Sequence, residues 1–441
     1  MVKRKLEEPL DEGKVDTAAY GALKSKLERC NQGHILDAWP SLTVAEKKTL
    51  TEQLQEIDLE RLQGICARSF GGSASSANEE VPEPYTDICK IPDVTEEQRM
   101  HWKNVGLKVA SEGKLAVILL AGGQGTRLGY DGPKGCFDIQ LPSHKVLYQI
   151  QAERLLALQR MAAKATGKAE SDVVIPWYIM YSKFTDVKTL AYFKEMNYFG
   201  LREDQVRFFA QGVLPCVTKE GGVIMETACS VAQSPDGNGG LYSALQYTGC
   251  LADMEARGVE CVDCYCVDNA LVRPGDPLFV GHCYERETEC GARVVSKAYP
   301  EERVGVFAVR GDAVEVVEYS ELDPKLATAR GSGGELLFNW SNVCMHYFSV
   351  PFLKRVAAAF ELSGQYHLAN KKIPSVDGKV DGIKLEMFIF DSFKLAKKIS
   401  LLEVLLCAPR GPRLLEHASF PHALPGVGWL ADSGRTAQLN S

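Results

Sequence analysis

Short apolar stretches alternate with helical patterns through the middle of the chain, and this alternation limits the fold more than any other feature of the sequence. The apolar stretches span residues 115–121, 173–180, 206–210, 261–268 and 292–298. Between several of them, apolar residues recur three or four positions apart, notably over residues 144–162 and 241–257. Strands that alternate with helices form βαβ units, whose mainly parallel sheet is buried on both faces. The sequence therefore predicts an α/β fold.

Residues 303–321 follow a different pattern. Two alternating apolar runs flank Arg310-Gly311-Asp312, which predicts a β-hairpin that turns near Gly311. Because the two strands of a hairpin are antiparallel, the sheet is expected to be mixed as well as mainly parallel.

The N-terminal part is predicted to be helical. Residues 15–68 show helical periodicity, and Thr43 followed three residues later by Glu46 is typical of a capping box at a helix start. Residues 71–92 are rich in Gly, Ser, Glu and Pro and are predicted to form a linker or surface loop.

Net charge and the distribution of apolar residues exclude some classes of binding partner. The net charge is −7, so no global basic field favours nucleic acid or an anionic membrane. The charged N-terminus and the lack of a long apolar run favour a cytoplasmic protein without a membrane segment. The fourteen cysteines are scattered, and the tightest group is Cys261, Cys264 and Cys266. These three lie in a predicted strand, where side chains alternate, so they are expected to be reduced core residues rather than metal ligands.

The strand at 115–121 leads directly into a glycine-rich loop, Gly122-Gly-Gln-Gly-Thr-Arg-Leu-Gly129, followed by Pro-Lys134-Gly. Glycines allow the backbone to approach a phosphate closely, and Arg127 and Lys134 supply positive charge. Leu128 stands where a dinucleotide-binding fingerprint requires glycine, and no Gly-Lys pair is followed by Ser or Thr as in a Walker A loop. The sequence therefore predicts another kind of phosphate-binding loop, with a glycine-rich turn that binds no ligand as the alternative.

Five ordered motifs give the chain a specific resemblance. They are Leu120–Gly129, Gln149–Arg154, Pro235–Tyr242, Tyr265–Asn269 and Val317–Glu321. Together they resemble the eukaryotic UDP-N-acetylglucosamine pyrophosphorylases, from about His34 to about Val404. The resemblance implies a Rossmann-like nucleotidyltransferase domain that joins UTP and N-acetylglucosamine 1-phosphate with the help of Mg²⁺. The products would be UDP-N-acetylglucosamine and pyrophosphate, a step of sugar-nucleotide biosynthesis.

The resemblance also implies roles for phosphate-binding residues. Gly122 and Gly123 match backbone contacts to the uridine nucleotide, and Lys134 and Lys384 match phosphate-binding lysines. Arg127 belongs to the same loop as Lys134 and is expected to brace the triphosphate. Charge neutralisation and positioning would then carry the catalysis, because no protein nucleophile is required.

The remaining site residues are implied by the resemblance as well. Gln211 matches a glutamine that reads the uracil edge, and its amide offers both a donor and an acceptor. Asp268 matches the Mg²⁺ ligand, with a structural cap as its alternative role. Contacts to uridine or to the sugar are implied for Gly237, Asn238, Gly305, Glu318 and Asn339, although Gly237 and Asn238 would also suit a plain turn.

The sequence departs from the family pattern in two places. Ser341 stands where the family usually shows glycine. After Leu405 the family continues into a small C-terminal domain that contributes another lysine, whereas this sequence becomes rich in Pro, Gly and small residues. We therefore predict a helical region with a linker over 1–110, the nucleotidyltransferase domain over 111–392, and a C-terminal remnant with an atypical tail over 393–441.

Two alternatives stay open at this point. The acceptor could be another hexose 1-phosphate, because the residues named do not decide whether an N-acetyl group is accepted. The altered C-terminus could also leave a protein that binds UDP-sugars without turnover. The oligomeric state is not predicted.

Overall fold

The computed structural model of the protein describes residues 17–71, 80–364 and 366–404. The tail predicted after Leu405 and most of the glycine- and serine-rich part of the predicted linker lie outside these residues. The α-helices are α1 (Thr17–Arg29), α2 (Val44–Glu56), α3 (Leu59–Gly71), α4 (Glu96–Ser111), α5 (Leu147–Thr166), α6 (Asp186–Glu195), α7 (Leu241–Tyr247), α8 (Cys250–Ala256), α9 (Pro277–Glu285), α10 (Pro324–Thr328) and α11 (Val350–Ser363).

The strands of the same residues complete the element order. They are β1 (Glu83–Pro84), β2 (Ile88–Lys90), β3 (Leu115–Leu120), β4 (Trp177–Tyr181), β5 (Val206–Ala210), β6 (Val213–Pro215), β7 (Met225–Thr227), β8 (Ser230–Val231), β9 (Gln233–Pro235), β10 (Cys261–Cys266), β11 (Cys290–Ser296), β12 (Val306–Arg310), β13 (Ala313–Val317), β14 (Trp340–Ser349), β15 (His367–Ser375), β16 (Gly378–Glu386) and β17 (Ile399–Glu403). No helix in the described ranges is long and apolar enough to cross a membrane.

The chain divides into two compact units. The N-terminal unit contains the described residues of 17–71, 213–237 and 366–388, and the sheet unit contains the remaining described residues. The domain boundaries near residues 110 and 392 stay a prediction.

The sheet unit is built around an 11-stranded sheet with the central order β2-β17-β11-β14-β10-β3-β4-β5. Neighbouring strands in this order run parallel, except that β14 is antiparallel to both β10 and β11. Every residue of β3 is buried, as expected for a parallel strand covered on both faces. The prediction of an α/β fold with a mixed, mainly parallel sheet is confirmed.

The strand registers bring several strand ends to one edge of this sheet. Leu120, the last residue of β3, lies opposite Met180 of β4 and Cys266 of β10. Because β14 runs the other way, its first residue, Trp340, reaches the same edge and lies opposite Ser296, the last residue of β11. Loops that follow β3, β4, β5, β10 and β11 therefore meet at this edge, where open α/β sheets bind their ligands.

Two helices of the sheet unit, α4 and α9, pack with their backbones in contact. A Cβ atom on Gly281 would lie 1.8 Å from the carbonyl oxygen of Trp102, and one on Gly106 would lie 1.9 Å from that of Pro277. His282 is fully buried beside this contact, with its ring 4.5 Å from the Trp102 ring. Burial lowers the pKa of His282 to about 4, so the imidazole is neutral at pH 7.

Two glutamine side chains of the N-terminal unit bind backbone groups of residues 221–231. Gln32 donates to the carbonyl of Gly221 (3.0 Å) and accepts from the Val223 amide (2.8 Å). Gln53 does the same with both backbone groups of Val231, at 3.0 and 2.8 Å. Each side-chain amide thus forms the two hydrogen bonds that a neighbouring strand would form with this stretch of backbone.

Several local predictions are confirmed. The hairpin forms from β12 and β13, and Gly311 at its turn has φ +59°. The capping box forms at the start of α2, where Thr43 Oγ1 accepts from the Glu46 amide and Glu46 accepts from the Thr43 amide. Cys261 faces the core of the sheet unit together with Tyr265, as the predicted alternation requires.

Two other local predictions are wrong. The segment 71–92 is not only a linker, because Ile88–Lys90 pairs with β17 and Glu83–Pro84 pairs with β12. The predicted strand 173–180 begins only at Trp177, after Pro176, which has no N–H to donate. The helical pattern over 241–257 forms two helices, α7 and α8, which are separated at Gly249, whose φ is +71°.

Candidate functional site

The glycine-rich loop folds back on itself at the end of β3. The Lys134 amide donates to the carbonyl of Gly123 (3.1 Å), and a Cβ atom on Gly123 would lie 3.5 Å from the Lys134 side chain. A Cβ atom on Gly135 would lie 2.1 Å from the ring of the buried Tyr148, so only glycine fits there. This packing fixes Lys134 over the start of the loop.

Lys134 and Asp268 form an ion pair at the sheet edge. The Nζ of Lys134 lies 2.7 Å from Oδ2 of Asp268, and the two side chains are 13% and 22% exposed. Asp268 follows β10 and is held close to β3, because the Val267 amide donates to the Leu120 carbonyl (3.0 Å). Lys134 is therefore no freely solvated surface lysine. The pair offers a cation for phosphate oxygens and a carboxylate for a metal ion.

Gln211 lies on the other side of the loop. Its backbone amide donates to the Tyr181 carbonyl (2.7 Å), which continues the pairing of β4 with β5. A Cβ atom on Gly122 would lie only 2.5 Å from Gln211 Oε1, so the glutamine amide occupies the space that a larger residue would need. Ser182 completes the group by donating from Oγ to the Gly122 carbonyl (2.7 Å), a contact that the sequence analysis missed.

The three residues expected at the sugar gather beside β14. Gly305 precedes β12, Glu318 follows β13 and Asn339 precedes β14. A Cβ atom on Gly305 would lie 2.9 Å from Glu318 Oε1. Asn339 is fixed by Lys297, whose backbone amide donates to both the main-chain oxygen (2.8 Å) and the side-chain oxygen (2.9 Å) of Asn339.

Lys297 is a further charged residue that the sequence analysis missed. Its side chain is buried, and Nζ donates to the carbonyl of Pro300 (2.8 Å). Burial lowers the pKa of Lys297. A lysine within Ser-Lys-Ala-Tyr-Pro gives no sequence signal of burial, because only the fold shows that β11 ends there. Ser341, the departure from the family glycine, is buried on β14, and its hydroxyl has no hydrogen-bond partner.

Four other predicted residues are placed differently. Asn238 accepts from the Ile389 amide through Oδ1 (2.9 Å), so this oxygen has a structural role. Gly237 and Lys384 belong to the N-terminal unit. Gly237 has φ +89° and a Cβ there would lie 2.2 Å from the Met387 carbonyl oxygen, so the local backbone already requires glycine. Arg127 is exposed on the turn Thr126–Leu128.

The residues at the edge fit a metal ion that arrives with a nucleotide. Within the described ranges, no group of three or more His, Cys, Asp or Glu side chains is placed to hold a metal. Mg²⁺ in nucleotide sites commonly uses only one or two carboxylates and takes its other ligands from phosphates and water. Asp268, a partly exposed carboxylate paired with Lys134, suits that arrangement.

A glycine-rich loop with a lysine–aspartate pair and a glutamine amide beside it, at the carboxyl edge of an α/β sheet, is typical of transferases that bind nucleotides. The chain matches the family described as UTP–glucose-1-phosphate uridylyltransferase over residues 45–404 and belongs to it. Enzymes of this family are nucleotidyltransferases that act on small molecules and in general depend on a divalent metal ion.

Individual relatives confirm the resemblance found in the sequence. The chain is 49% identical over 390 residues to UDP-N-acetylglucosamine diphosphorylase 1 of Arabidopsis thaliana, which covers 87% of this chain and 77% of the relative. It is 43% identical over 398 residues to the human UDP-N-acetylhexosamine pyrophosphorylase-like protein 1, and this match covers 87% of this chain and 78% of the relative. The crystal structure of the uridine diphosphate N-acetylglucosamine pyrophosphorylase from Trypanosoma brucei in complex with inhibitor superposes with a TM-score of 0.79. The identity is 31%, and the match covers 89% of this chain and 80% of that one.

Proposed function

We propose that this protein transfers the uridylyl group of UTP to N-acetylglucosamine 1-phosphate, which gives UDP-N-acetylglucosamine and pyrophosphate. The observation that carries the proposal is the Lys134–Asp268 pair, 2.7 Å apart and mostly shielded from solvent, beside the glycine loop. The names of the Arabidopsis and trypanosome proteins support the choice of sugar.

The reaction is an in-line displacement at phosphorus. A phosphate oxygen of the sugar phosphate forms a bond to the α-phosphorus of UTP, while the bond from that phosphorus to the oxygen bridging the β-phosphate breaks. Pyrophosphate leaves with that oxygen, so the protein needs no nucleophile. Its work is to align the two phosphates and to neutralise their charge.

The site residues divide this work among them. The backbone of Gly122 and Gly123 contacts the uridine nucleotide, and Lys134 neutralises the charge of the triphosphate. Gln211 accepts from and donates to the uracil edge, which selects UTP. Glu318 accepts hydrogen bonds from sugar hydroxyls beside Asn339 and Gly305. Arg127, Lys384, Gly237 and Asn238 stay predicted contacts to the triphosphate, the phosphate and the UDP-sugar.

Asp268 is the residue that would hold Mg²⁺. The ion, when bound, would neutralise charge on the phosphates. Asp268 would supply the carboxylate ligand, and Lys134, whose Nζ contacts Oδ2 of Asp268, would donate to phosphate oxygens beside it. The ion pair thus keeps both side chains at the sheet edge before substrates arrive.

Pyrophosphate release by the purified chain tests the proposal. UTP and Mg²⁺ are supplied with N-acetylglucosamine 1-phosphate, N-acetylgalactosamine 1-phosphate or glucose 1-phosphate in parallel. We expect the highest kcat/KM with N-acetylglucosamine 1-phosphate. A higher kcat/KM with glucose 1-phosphate would make that compound the substrate instead. Calorimetric binding of UDP-N-acetylglucosamine without pyrophosphate release from any substrate would make the chain a binding protein.

We also propose that the protein acts in the cytoplasm. The cysteines in the described part of the chain are free, as is usual in a reducing compartment. Cell fractionation followed by immunoblotting tests this location.

A further inference from the structure

The motif Gln149–Arg154 on α5 has no role among the substrate contacts described above. Two of its side chains, Gln151 and Arg154, reach the segment that follows β10. Gln151 is fully buried and donates from Nε2 to the carbonyl of Val267 (3.2 Å). Arg154 donates from one nitrogen, Nη1, to the carbonyls of Ala270 (2.5 Å) and Val272 (2.8 Å).

These contacts surround Asp268. We call residues 267–272 the Asp268 loop. Its first residue, Val267, is held by Gln151, and its end is held by Arg154, so Asp268 lies between two attachment points on one helix. Backbone carbonyls in such a loop need hydrogen-bond partners, and here α5 supplies them.

The chemistry of the two side chains agrees with a holding role. Among the described residues, the Oε1 atom of the buried Gln151 has no hydrogen-bond partner, so only the donating half of its amide is used there. Burial lowers the pKa of Arg154, which shows that its cation is partly removed from water. Arg154 donates its hydrogen bonds to two carbonyls of the Asp268 loop rather than to a carboxylate. Such a group fixes backbone geometry.

Other residues of the motif face elsewhere. Glu153 accepts from Lys145 (2.7 Å) and from Gln149 (3.1 Å). The motif therefore contains two residues that hold the Asp268 loop and a neighbour, Gln149, that serves as a matched control on the same helix.

We propose that Gln151 and Arg154 are positioning residues, which hold the Asp268 loop so that the Asp268 carboxylate is preset for the metal ion and for Lys134. The inference rests on the proposed metal-binding role of Asp268. Both side chains contact the backbone of the loop. Their loss weakens metal binding because the free loop must be ordered again each time the ion binds.

The test measures Mn²⁺ binding directly, from the electron paramagnetic resonance signal of the free ion, with UTP present and no sugar phosphate. The variants are Gln151→Met, Arg154→Ala, Arg154→Lys, Asp268→Asn and the control Gln149→Ala. We expect the Mn²⁺ dissociation constant to rise about tenfold or more in Gln151→Met and Arg154→Ala. Arg154→Lys, which keeps a donor, is expected to recover part of the affinity, and Gln149→Ala to match the unaltered chain.

Hydrogen exchange of the same variants gives an independent measurement. Amides of the Asp268 loop are expected to exchange faster in Gln151→Met and Arg154→Ala, while β3 keeps its protection. Gln151→Met retains the side-chain volume and removes an unpaired oxygen, so it provides the test even where Arg154→Ala does not fold.

The outcomes separate the two claims. If Asp268→Asn loses Mn²⁺ affinity while Gln151→Met and Arg154→Ala bind Mn²⁺ like the unaltered chain, the positioning role is wrong and the metal site stands. If Asp268→Asn itself binds Mn²⁺ normally, the proposed metal site is wrong and the positioning role is lost with it.

Discussion

Replacing Gly122 by alanine tests the proposed contact between Gln211 and uracil. The new methyl group is predicted to weaken UTP binding only by displacing the Gln211 side chain. The new Cβ would lie 2.5 Å from Gln211 Oε1, roughly 1 Å shorter than an ordinary carbon–oxygen contact. The next nearest atoms, Cβ and the amide nitrogen of Ser182, are both 3.5 Å away, which is a normal distance. The clash therefore displaces the end of a side chain and spares the backbone.

The size of the effect follows from what Gln211 would lose. A shift of about 1 Å breaks the two hydrogen bonds to uracil, each worth roughly 0.5–1.5 kcal/mol. The loss of about 1–3 kcal/mol corresponds to a rise of roughly 5- to 150-fold in the KM for UTP. The free energy of unfolding should change by less than about 1 kcal/mol, because the clash displaces the end of one polar side chain and leaves the backbone and the apolar core in place.

Initial rates of pyrophosphate release over a range of UTP concentrations measure the effect. The set contains Gly122→Ala, Gln211→Ala and the double variant, with the KM for the sugar phosphate as an internal control. If the alanine acts through Gln211, the double variant is no worse than Gln211→Ala alone. Additive effects of the two substitutions on the KM for UTP would refute the reasoning.

Three further predictions concern catalysis, acid sensitivity and packing. Lys134→Ala and Asp268→Ala should each lower kcat about a hundredfold or more while calorimetry shows less than tenfold weaker UDP-N-acetylglucosamine binding; equal activity in either variant would contradict the site. Burial holds the pKa of His282 near 4, below its ordinary value, because the folded state accommodates only the neutral ring. The unfolded state therefore binds a proton first, and stability that is complete above about pH 6.5 is lost as the pH falls towards 4. His282 accounts for about 2 kcal/mol between pH 7 and pH 5, so the loss of unfolding free energy in urea over this range should be smaller by about that amount in His282→Met, while the buried His346 keeps its own contribution; an equal loss in both proteins would refute the role of His282. Gly281→Ala, at the contact of α4 with α9, should lower the free energy of unfolding by more than about 3 kcal/mol. Gly64→Ala, in the open middle of α3, should raise it by roughly 0.5–1 kcal/mol. Similar values for the two variants would show that the helix contact can relax.

Much of the architecture could be predicted because its signals are local. The apolar run of β3, the hairpin around Gly311 and the capping box of Thr43 each depend on a few neighbouring residues. Their backbone preferences and their burial act over the same short stretch, so the pattern and the structure agree. The glycine loop was found for the same reason, since glycines and cations lie within fourteen positions, from Gly122 to Gly135.

The elements that were missed depend on partners far away in the sequence. Ile88–Lys90 is a strand only because β17 lies beside it, more than three hundred residues later in the chain, at Ile399–Glu403. No alternating pattern of its own marks it. Likewise, β14 is the one strand of the central order that runs against its neighbours, and nothing in its residues gives that direction.

The sequence by itself determined the fold class, the phosphate loop and the family, because these depend on residue types at fixed spacings along the chain. The tertiary structure alone decided which side chains meet: Lys134 with Asp268, Gly122 with Gln211, and Arg154 with the Asp268 loop. These pairs join residues between about 90 and 134 positions apart. Bringing such groups together requires the registers of a whole sheet, and those registers are fixed by the burial of many apolar side chains at once rather than by the residues that do the chemistry.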